Sequence, residues 1–152
     1  MATISRTRTV AAPAAAVWDV LADFGSISSW AENVDHSCLL QHGGDPAAVG
    51  TTRRVQVGRD TLVERITDST APTTLRYQIE GLPRRLGTVA NRWSVMGFGE
   101  TAAVTLTTSV EIADNPVARI AEKALCRFMA KQSDTMLAGL AQGVEGSHDI
   151  TG

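Results

Sequence analysis

The chain has 152 residues, the length of one ordinary domain, of which 43% are hydrophobic and 20% charged. These proportions are typical of a globular protein and exclude a disordered or fibrous chain. The formal net charge of −2 argues against a nucleic-acid-binding protein, because such proteins neutralise phosphates with many basic residues. No uncharged apolar run approaches the roughly 18 residues of a membrane span, so we expect no stable membrane insertion.

The first third of the chain predicts one strand followed by two short helices. Residues 3–10 are rich in threonine, and Pro13 suits a first helical position because it lacks the N–H that would be unpaired there. Gly25 ends the first helix, and Ser26 can cap a second helix that ends near Trp30. The apolar residues at helical spacing are Val17, Trp18, Leu21 and Phe24.

Six segments with alternating polar and apolar residues follow, and each predicts a strand with one buried face. Successive side chains of a strand point to opposite sides, so residues in phase with the apolar set should point inward. The predicted inward sets are Val34, His36, Cys38 and Leu40; Arg53, Val55 and Val57; Leu62, Glu64 and Ile66; Leu75, Tyr77 and Ile79; Val89, Asn91, Trp93 and Val95; and Val104, Leu106, Val110 and Ile112.

A long helix is predicted from Pro116 to about Gln142, which makes it roughly 40 Å long. Its apolar face consists of Val117, Ile120, Ala124, Leu125, Phe128, Met136 and Leu140. No other predicted element is long enough to cover the sheet. The prediction is therefore an α+β fold, in which a seven-stranded antiparallel sheet wraps around the C-terminal helix and two short helices follow strand 1.

This arrangement sets the domain boundaries and the contacts of the core. Residues 1–145 should form one domain, and residues 146–152 a C-terminal tail. The phase of the apolar positions predicts that Tyr77 and Trp93 face the long helix, opposite Phe128 or Met129.

Five polar residues share the phase of the apolar set. They are His36, Arg53, Glu64, Tyr77 and Asn91. Charges facing a dry core cost several kcal/mol even when paired, so this group predicts a wet cavity of ligand size. Each residue also has a structural interpretation. The Arg–Glu pair, a satisfied buried histidine, a core tyrosine and an asparagine bonded to backbone all occur without any ligand.

The register of one hairpin can be tested from its charges. A two-residue turn at Gly58 and Arg59 places Arg53 beside Glu64 on the inner face. A three-residue loop would place Arg53 beside Arg65, and directly opposed like charges are destabilising. We therefore expect the two-residue turn and a direct Arg53–Glu64 ion pair.

Several other kinds of site are not expected. The three histidines and two cysteines have no metal-ligand spacing, and residues 97–99 read as a hairpin turn rather than a phosphate loop. Two distant cysteines, Cys38 and Cys126, suit a reducing cytoplasm. The low lysine count against many arginines and alanines suits a GC-rich bacterial genome.

The motifs of the chain resemble a known superfamily in their order and spacing. They are Ala12-Pro13, Val17-Trp18, Leu21, Asp23-Phe24 and Trp30, followed by Val49-Gly50-Thr51-Thr52-Arg53 and Glu64-Arg65-Ile66. Together they resemble the START-like (SRPBCC) superfamily, in its bacterial polyketide cyclase/dehydrase branch, over residues 3–142. This resemblance implies a helix-grip fold with an apolar cavity between the sheet and the C-terminal helix.

The superfamily includes lipid carriers and plant hormone receptors, and the resemblance extends to single positions. In the receptors a lysine on the second strand and a glutamate on the fourth line the cavity. Here His36 takes the lysine position, Glu64 matches the glutamate, and Val55 and Val57 resemble cavity-wall residues. The receptors' Ser-Gly-Leu-Pro gate is replaced by the turn at residues 58–59, so a gated receptor is not expected.

Two functions follow from the residues and the resemblance together. The first is a carrier or sensor that binds a hydrophobic small molecule, a lipid, polyketide or polyphenol, without a cofactor or metal. Its expected ligand-binding residues are His36, Arg53, Val55, Val57, Glu64, Tyr77, Asn91, Trp93 and Phe128. The alternative is a cofactor-free polyketide cyclase or dehydratase, in which His36 is the general base, Glu64 orients the substrate and Tyr77 donates to an enolate oxygen. Whether the protein forms a homodimer is left open.

Overall fold

The computed structural model describes residues 2–41, 44–80, 87–111 and 116–151, and within the last helix the side chains at 120, 123, 124, 127 and 129–145. Its elements in chain order are β1 (Ala2–Val10), α1 (Ala14–Ala22), a 3-10 helix (Phe24–Ser29), β2 (His36–Gln41), β3 (Thr52–Val57), β4 (Asp60–Thr70), β5 (Thr74–Glu80), β6 (Thr88–Phe98), β7 (Thr101–Glu111) and α2 (Pro116–Thr151).

The strands form one antiparallel sheet of seven, in the order β1-β7-β6-β5-β4-β3-β2. The strands from β2 to β7 are neighbours in sequence and in space, since short connections join antiparallel strands. The two short helices carry the chain from β1 to the opposite edge at β2. The predicted α+β fold, with its seven-stranded sheet and long C-terminal helix, is confirmed.

Helix α2 covers the face of the sheet that we call the inner face. Its Asp134 lies 3.5 Å from Arg6 of β1, and its Glu145 accepts a hydrogen bond from the backbone N–H of Ala11. The helix begins at Pro116 as expected but continues to Thr151, past the predicted end near Gln142. No helix in the described ranges is long and apolar enough to cross a membrane.

The core on the inner face consists of two apolar clusters. The larger contains Tyr77 and Trp93, with Met136, Leu137 and Leu140 of α2. The smaller contains Ile79, Val89 and Val110, and the partly buried Leu62 and Met129 pack against it. The helix residues that share a cluster with Tyr77 and Trp93 therefore start two turns after the predicted Met129. The predicted contact with Phe128 lies outside the described side chains.

The hairpin between β3 and β4 has the predicted register. Val57 pairs with Asp60 across the two-residue turn, and Arg53 pairs with Glu64. Gly58 has a φ of +60°, a conformation that glycine adopts without the steric cost of a side chain. The two-residue turn and the Arg53–Glu64 pairing, which were predicted from the opposed charges, are confirmed.

The prediction for β2 was wrong by one residue. Ser37 pairs with Val55 and Leu39 with Arg53, so these two residues point inward, whereas His36 and Cys38 point outward and are exposed. The predicted phase started from Val34. That residue precedes the strand in a turn in which its N–H donates to Ala31, so its burial says nothing about the alternation of β2.

Candidate functional site

Five of the predicted site residues come together on the inner face of the sheet. Arg53 lies on β3, Glu64 on β4, Tyr77 on β5, and Asn91 and Trp93 on β6, and all five are buried. Tyr77 is the cross-strand partner of Asn91, one row along the sheet from the Arg53–Glu64 pair. The structure therefore assembles a polar group within an otherwise apolar face, where the two core clusters meet.

Arg53 and Glu64 form a direct ion pair, as predicted. Nε and Nη2 of Arg53 lie 2.8 Å and 2.7 Å from the same oxygen, Oε1 of Glu64, and the two residues are only 3% and 6% exposed. Nη2 is not aligned for a hydrogen bond at that distance, so this buried nitrogen has no hydrogen-bond partner among the described residues. Both nitrogens nevertheless lie in ion-pair contact with one carboxylate oxygen, so the guanidinium is held against Glu64.

Phe24 fixes the position of the Arg53 guanidinium from outside the sheet. Its backbone carbonyl accepts a hydrogen bond of 2.9 Å from Nη1, and its ring centroid lies 3.8 Å from the guanidinium carbon. The ring of Tyr77 lies 4.6 Å from the same carbon. Cation–π contacts of this kind stabilise a desolvated guanidinium, so Arg53 also ties the 3-10 helix to the sheet.

The Tyr77 hydroxyl is buried. It accepts a hydrogen bond of 3.2 Å from Nε1 of Trp93, and the side chain of Asn91, its cross-strand partner, also interacts with it. Burial raises the pKa of Tyr77, and the negative charge of Glu64 raises it further, against opposing effects from Arg53, Trp93 and Asn91. The phenol therefore keeps its proton at neutral pH.

Asn91 extends the polar group toward β7. Its Oδ1 accepts a hydrogen bond of 2.6 Å from Oγ1 of Thr108, which is 1% exposed. Thr108 is a site residue that was not predicted, although it lies in phase with Leu106 and Val110 on the inner face. The period-two pattern could have found it. No sequence pattern pointed to Phe24, because its contact with Arg53 joins a helix to a strand 29 positions away.

Apolar residues that are only partly covered lie beside the polar group. Val57 and Leu62 on the inner side of the β3–β4 hairpin are half-buried, as is Met129 on α2. Val55, predicted as a wall residue, is buried at 3%. Phe128 lies outside the described side chains. The inner face therefore offers an incompletely covered apolar surface at the β3–β4 hairpin, where Leu62 is the next inward residue after the carboxylate-bearing Glu64.

His36 does not belong to this group. It lies on the outer face of the edge strand β2, paired with Gln56, and is exposed. Its inward position is taken by Ser37, whose hydroxyl donates to the Gly25 carbonyl and thereby holds the 3-10 helix. Across the described ranges no three His, Cys, Asp or Glu side chains are grouped closely enough to hold a metal ion.

Known proteins give two kinds of match. Residues 1–145 match the family described as polyketide cyclase/dehydrase and lipid transport. Among solved structures, the Zhui aromatase/cyclase from Streptomyces sp. R1128 superposes with a TM-score of 0.77 at 19% identity, covering 95% of this chain and 93% of that one. A Thermobifida fusca protein gives 0.71 at 26% identity, with 95% and 93% covered. Ara h 8.0201 gives 0.74 at 14% identity, with 95% and 98% covered. No curated protein matches the chain significantly.

Proposed function

The chain belongs to the polyketide cyclase/dehydrase and lipid transport family, and from this premise we propose that it binds a hydrophobic small molecule between the inner face of its sheet and α2. The proposed ligand is a lipid, polyketide or polyphenol, and the protein acts as its carrier or sensor. The observation that carries the proposal is the half-buried apolar surface of Val57, Leu62 and Met129 beside the buried polar group. Ligand sites are typically apolar surfaces with a few convergent polar groups.

The polar group supports a ligand that ends in an oxygen. The Tyr77 hydroxyl accepts from Nε1 of Trp93, and its own O–H is a group that can donate to a carbonyl or phenolic oxygen. In this proposal Asn91, Trp93, Val55, Val57 and Phe128 complete the ligand contacts. Arg53 is a positioning residue that orients the carboxylate of Glu64, because its faces are covered by the rings of Phe24 and Tyr77.

A second candidate, a cofactor-free cyclase or dehydratase, rests on one specific observation. Glu64 is the one buried carboxylate among the described residues, and its charge acts on the Tyr77 phenol. The predicted base His36 faces outward, so Glu64 would have to remove the proton while Tyr77 donates to the developing enolate oxygen. Nε and Nη2 of Arg53 already contact Oε1 of Glu64, so the carboxylate is engaged by the protein itself, which favours binding over turnover.

Native mass spectrometry of gently purified protein tests the proposed site. The variant Leu62→Trp would fill the half-buried inner surface, whereas Val63→Trp places the same large side chain at the next residue, which points outward. We expect a hydrophobic molecule to copurify with the wild type and with Val63→Trp, and to be lost from Leu62→Trp. Equal retention by both variants would contradict the proposed location.

Turnover of the copurified molecule, or of its synthetic precursor, separates the two candidates. A carrier should leave the molecule unchanged over hours at neutral pH. An enzyme would convert it, and Glu64→Gln would then lower the rate by about 10²–10⁴-fold while binding persists.

Two further predictions accompany this proposal. The exposed, free Cys38 is compatible with a reducing compartment, so we propose a cytoplasmic location. Whether the chain forms a homodimer stays open, and sedimentation of the full chain would decide between monomer and dimer.

A further inference from the structure

The outer face of the sheet, opposite α2, carries two arginines that face each other. Arg76 on β5 and Arg92 on β6 are direct cross-strand partners. Like charges placed directly opposite each other destabilise a sheet unless an opposite charge lies between or beside them. This pair is separate from the polar group of the inner face, since the two sets of side chains point in opposite directions.

No carboxylate among the described residues forms an ion pair with either arginine. Within the described residues neither guanidinium has a carboxylate oxygen within 4.0 Å. Asp68 is the cross-strand partner of Arg76 along the backbone, but their side chains form no ion pair. Arg76 instead donates from Nη1 to the Thr67 hydroxyl at 2.7 Å, and this bond holds it in place. Arg92 is exposed. Among the described residues, the two positive charges therefore have no carboxylate in direct contact.

A depression of about 300 Å³ lies beside the two arginines. Its lining consists of Thr3, Arg76, Ala90, Asn91, Arg92, Thr107 and Ser109. Ala90 is 4% exposed although it points outward, because its small side chain lies below its larger neighbours and forms the floor. The hydroxyls come from adjacent strands, since Thr107 is the partner of Arg92, and Ser109 is the partner of both Ala90 and Thr3.

We propose that this depression, which we call the outer depression, binds a phosphate group, either free or as the monoester of a small molecule. Guanidinium groups match the geometry and charge of phosphate oxygens, and hydroxyls supply further donors to the remaining oxygens. The two arginines carry two positive charges, which a phosphate dianion would neutralise. A ligand with a single carboxylate would neutralise only one of them. The volume leaves room for a small organic group beside the phosphate.

Amide-detected NMR tests the proposal with the full chain, as sodium phosphate replaces sodium chloride at constant ionic strength. We expect saturable shifts at residues 90–92 and 107–109. Arg92→Gln should weaken binding about tenfold, the usual effect of losing one charge-assisted hydrogen bond. Arg59→Gln, at the exposed β3–β4 turn, removes the same charge elsewhere and should bind like the wild type.

The outcomes decide both the site and the ligand. Shifts that never saturate, or equal weakening in Arg92→Gln and Arg59→Gln, would overturn the proposal, and the spectra report whether each variant is folded. Glycerol 1-phosphate that binds more tightly than phosphate identifies a phosphate monoester as the ligand, whereas equal affinities identify free phosphate. Acetate that binds as tightly as phosphate would contradict the proposed ligand class.

Discussion

Arg53 links parts of the molecule that are far apart in sequence. Its guanidinium contacts the carboxylate of Glu64, the carbonyl and ring of Phe24, and the ring of Tyr77. Removing two charges from water costs several kcal/mol, and these contacts offset that cost only while both charges are present. Loss of one partner should therefore be more harmful than its single hydrogen bond suggests.

Glu64→Gln should lower the free energy of unfolding by about 1–3 kcal/mol, because a neutral amide leaves the buried guanidinium unpaired. Glu80→Gln is the matched control. It breaks the equally short 2.8 Å pair with Arg65, but that pair is 51% and 40% exposed, so the loss should stay below about 1 kcal/mol. Urea unfolding measures both, and equal losses would contradict the structural role of the buried pair.

Tyr77 is the single tyrosine of the chain, so its ionisation can be followed by ultraviolet absorbance without interference from another phenol. Burial raises its pKa, so the folded protein should titrate above 10 and the protein in urea near 10. A raised folded pKa contributes stability that is fully present below pH 10 and is lost as the pH rises through the folded pKa. A folded midpoint at or below 10 would show that the hydroxyl is solvated.

Helix α2 has glycine at the positions where it crosses Trp30. The missing side chains let the helix lie close to the Trp30 backbone. A Cβ at Gly139 would overlap the Trp30 backbone carbonyl oxygen. At Gly143, one turn later, a Cβ would lie 3.2 Å from the Trp30 Cβ, a side-chain atom that can shift slightly. The backbone of Trp30 therefore sets how closely the helix packs.

Gly139→Ala should destabilise the protein by about 2 kcal/mol, because overpacking outweighs the helix propensity of about 1 kcal/mol that alanine adds. Gly143→Ala provides the comparison, since it adds the same propensity against a contact that can adjust, and its effect should lie within about 1 kcal/mol of zero. Thermal unfolding distinguishes them. A stabilising Gly139→Ala would mean that α2 does not contact Trp30.

Much of the whole molecule follows from periodicity. β6 and β7 have long alternating runs, and the sheet and the buried positions of Tyr77 and Asn91 were predicted from such patterns. The register at Arg53 and Glu64 was predicted from the turn length and the charges. A strand with a strong apolar phase leaves one orientation, because a shift of one residue would expose the whole set.

The errors occur where the pattern is short or the contact is not local. β2 has six residues, and the buried Val34 before it led to the wrong phase for His36. Thr108 was overlooked because a single hydroxyl interrupts an apolar run. The stacking of Phe24 on Arg53 depends on how the 3-10 helix folds back on the sheet, which no local periodicity encodes.

The most direct test of a ligand site between the sheet and α2 is an NMR measurement of nuclear Overhauser contacts between the copurified molecule and the methyl groups of the protein. A ligand site there predicts contacts to Val57, Leu62 and Met129 on the inner side. The methyl group of Met96 is the control, because Met96 is a large exposed side chain on the outer face. Contacts confined to Met96 and its outer-face neighbours would contradict a ligand site between the sheet and α2.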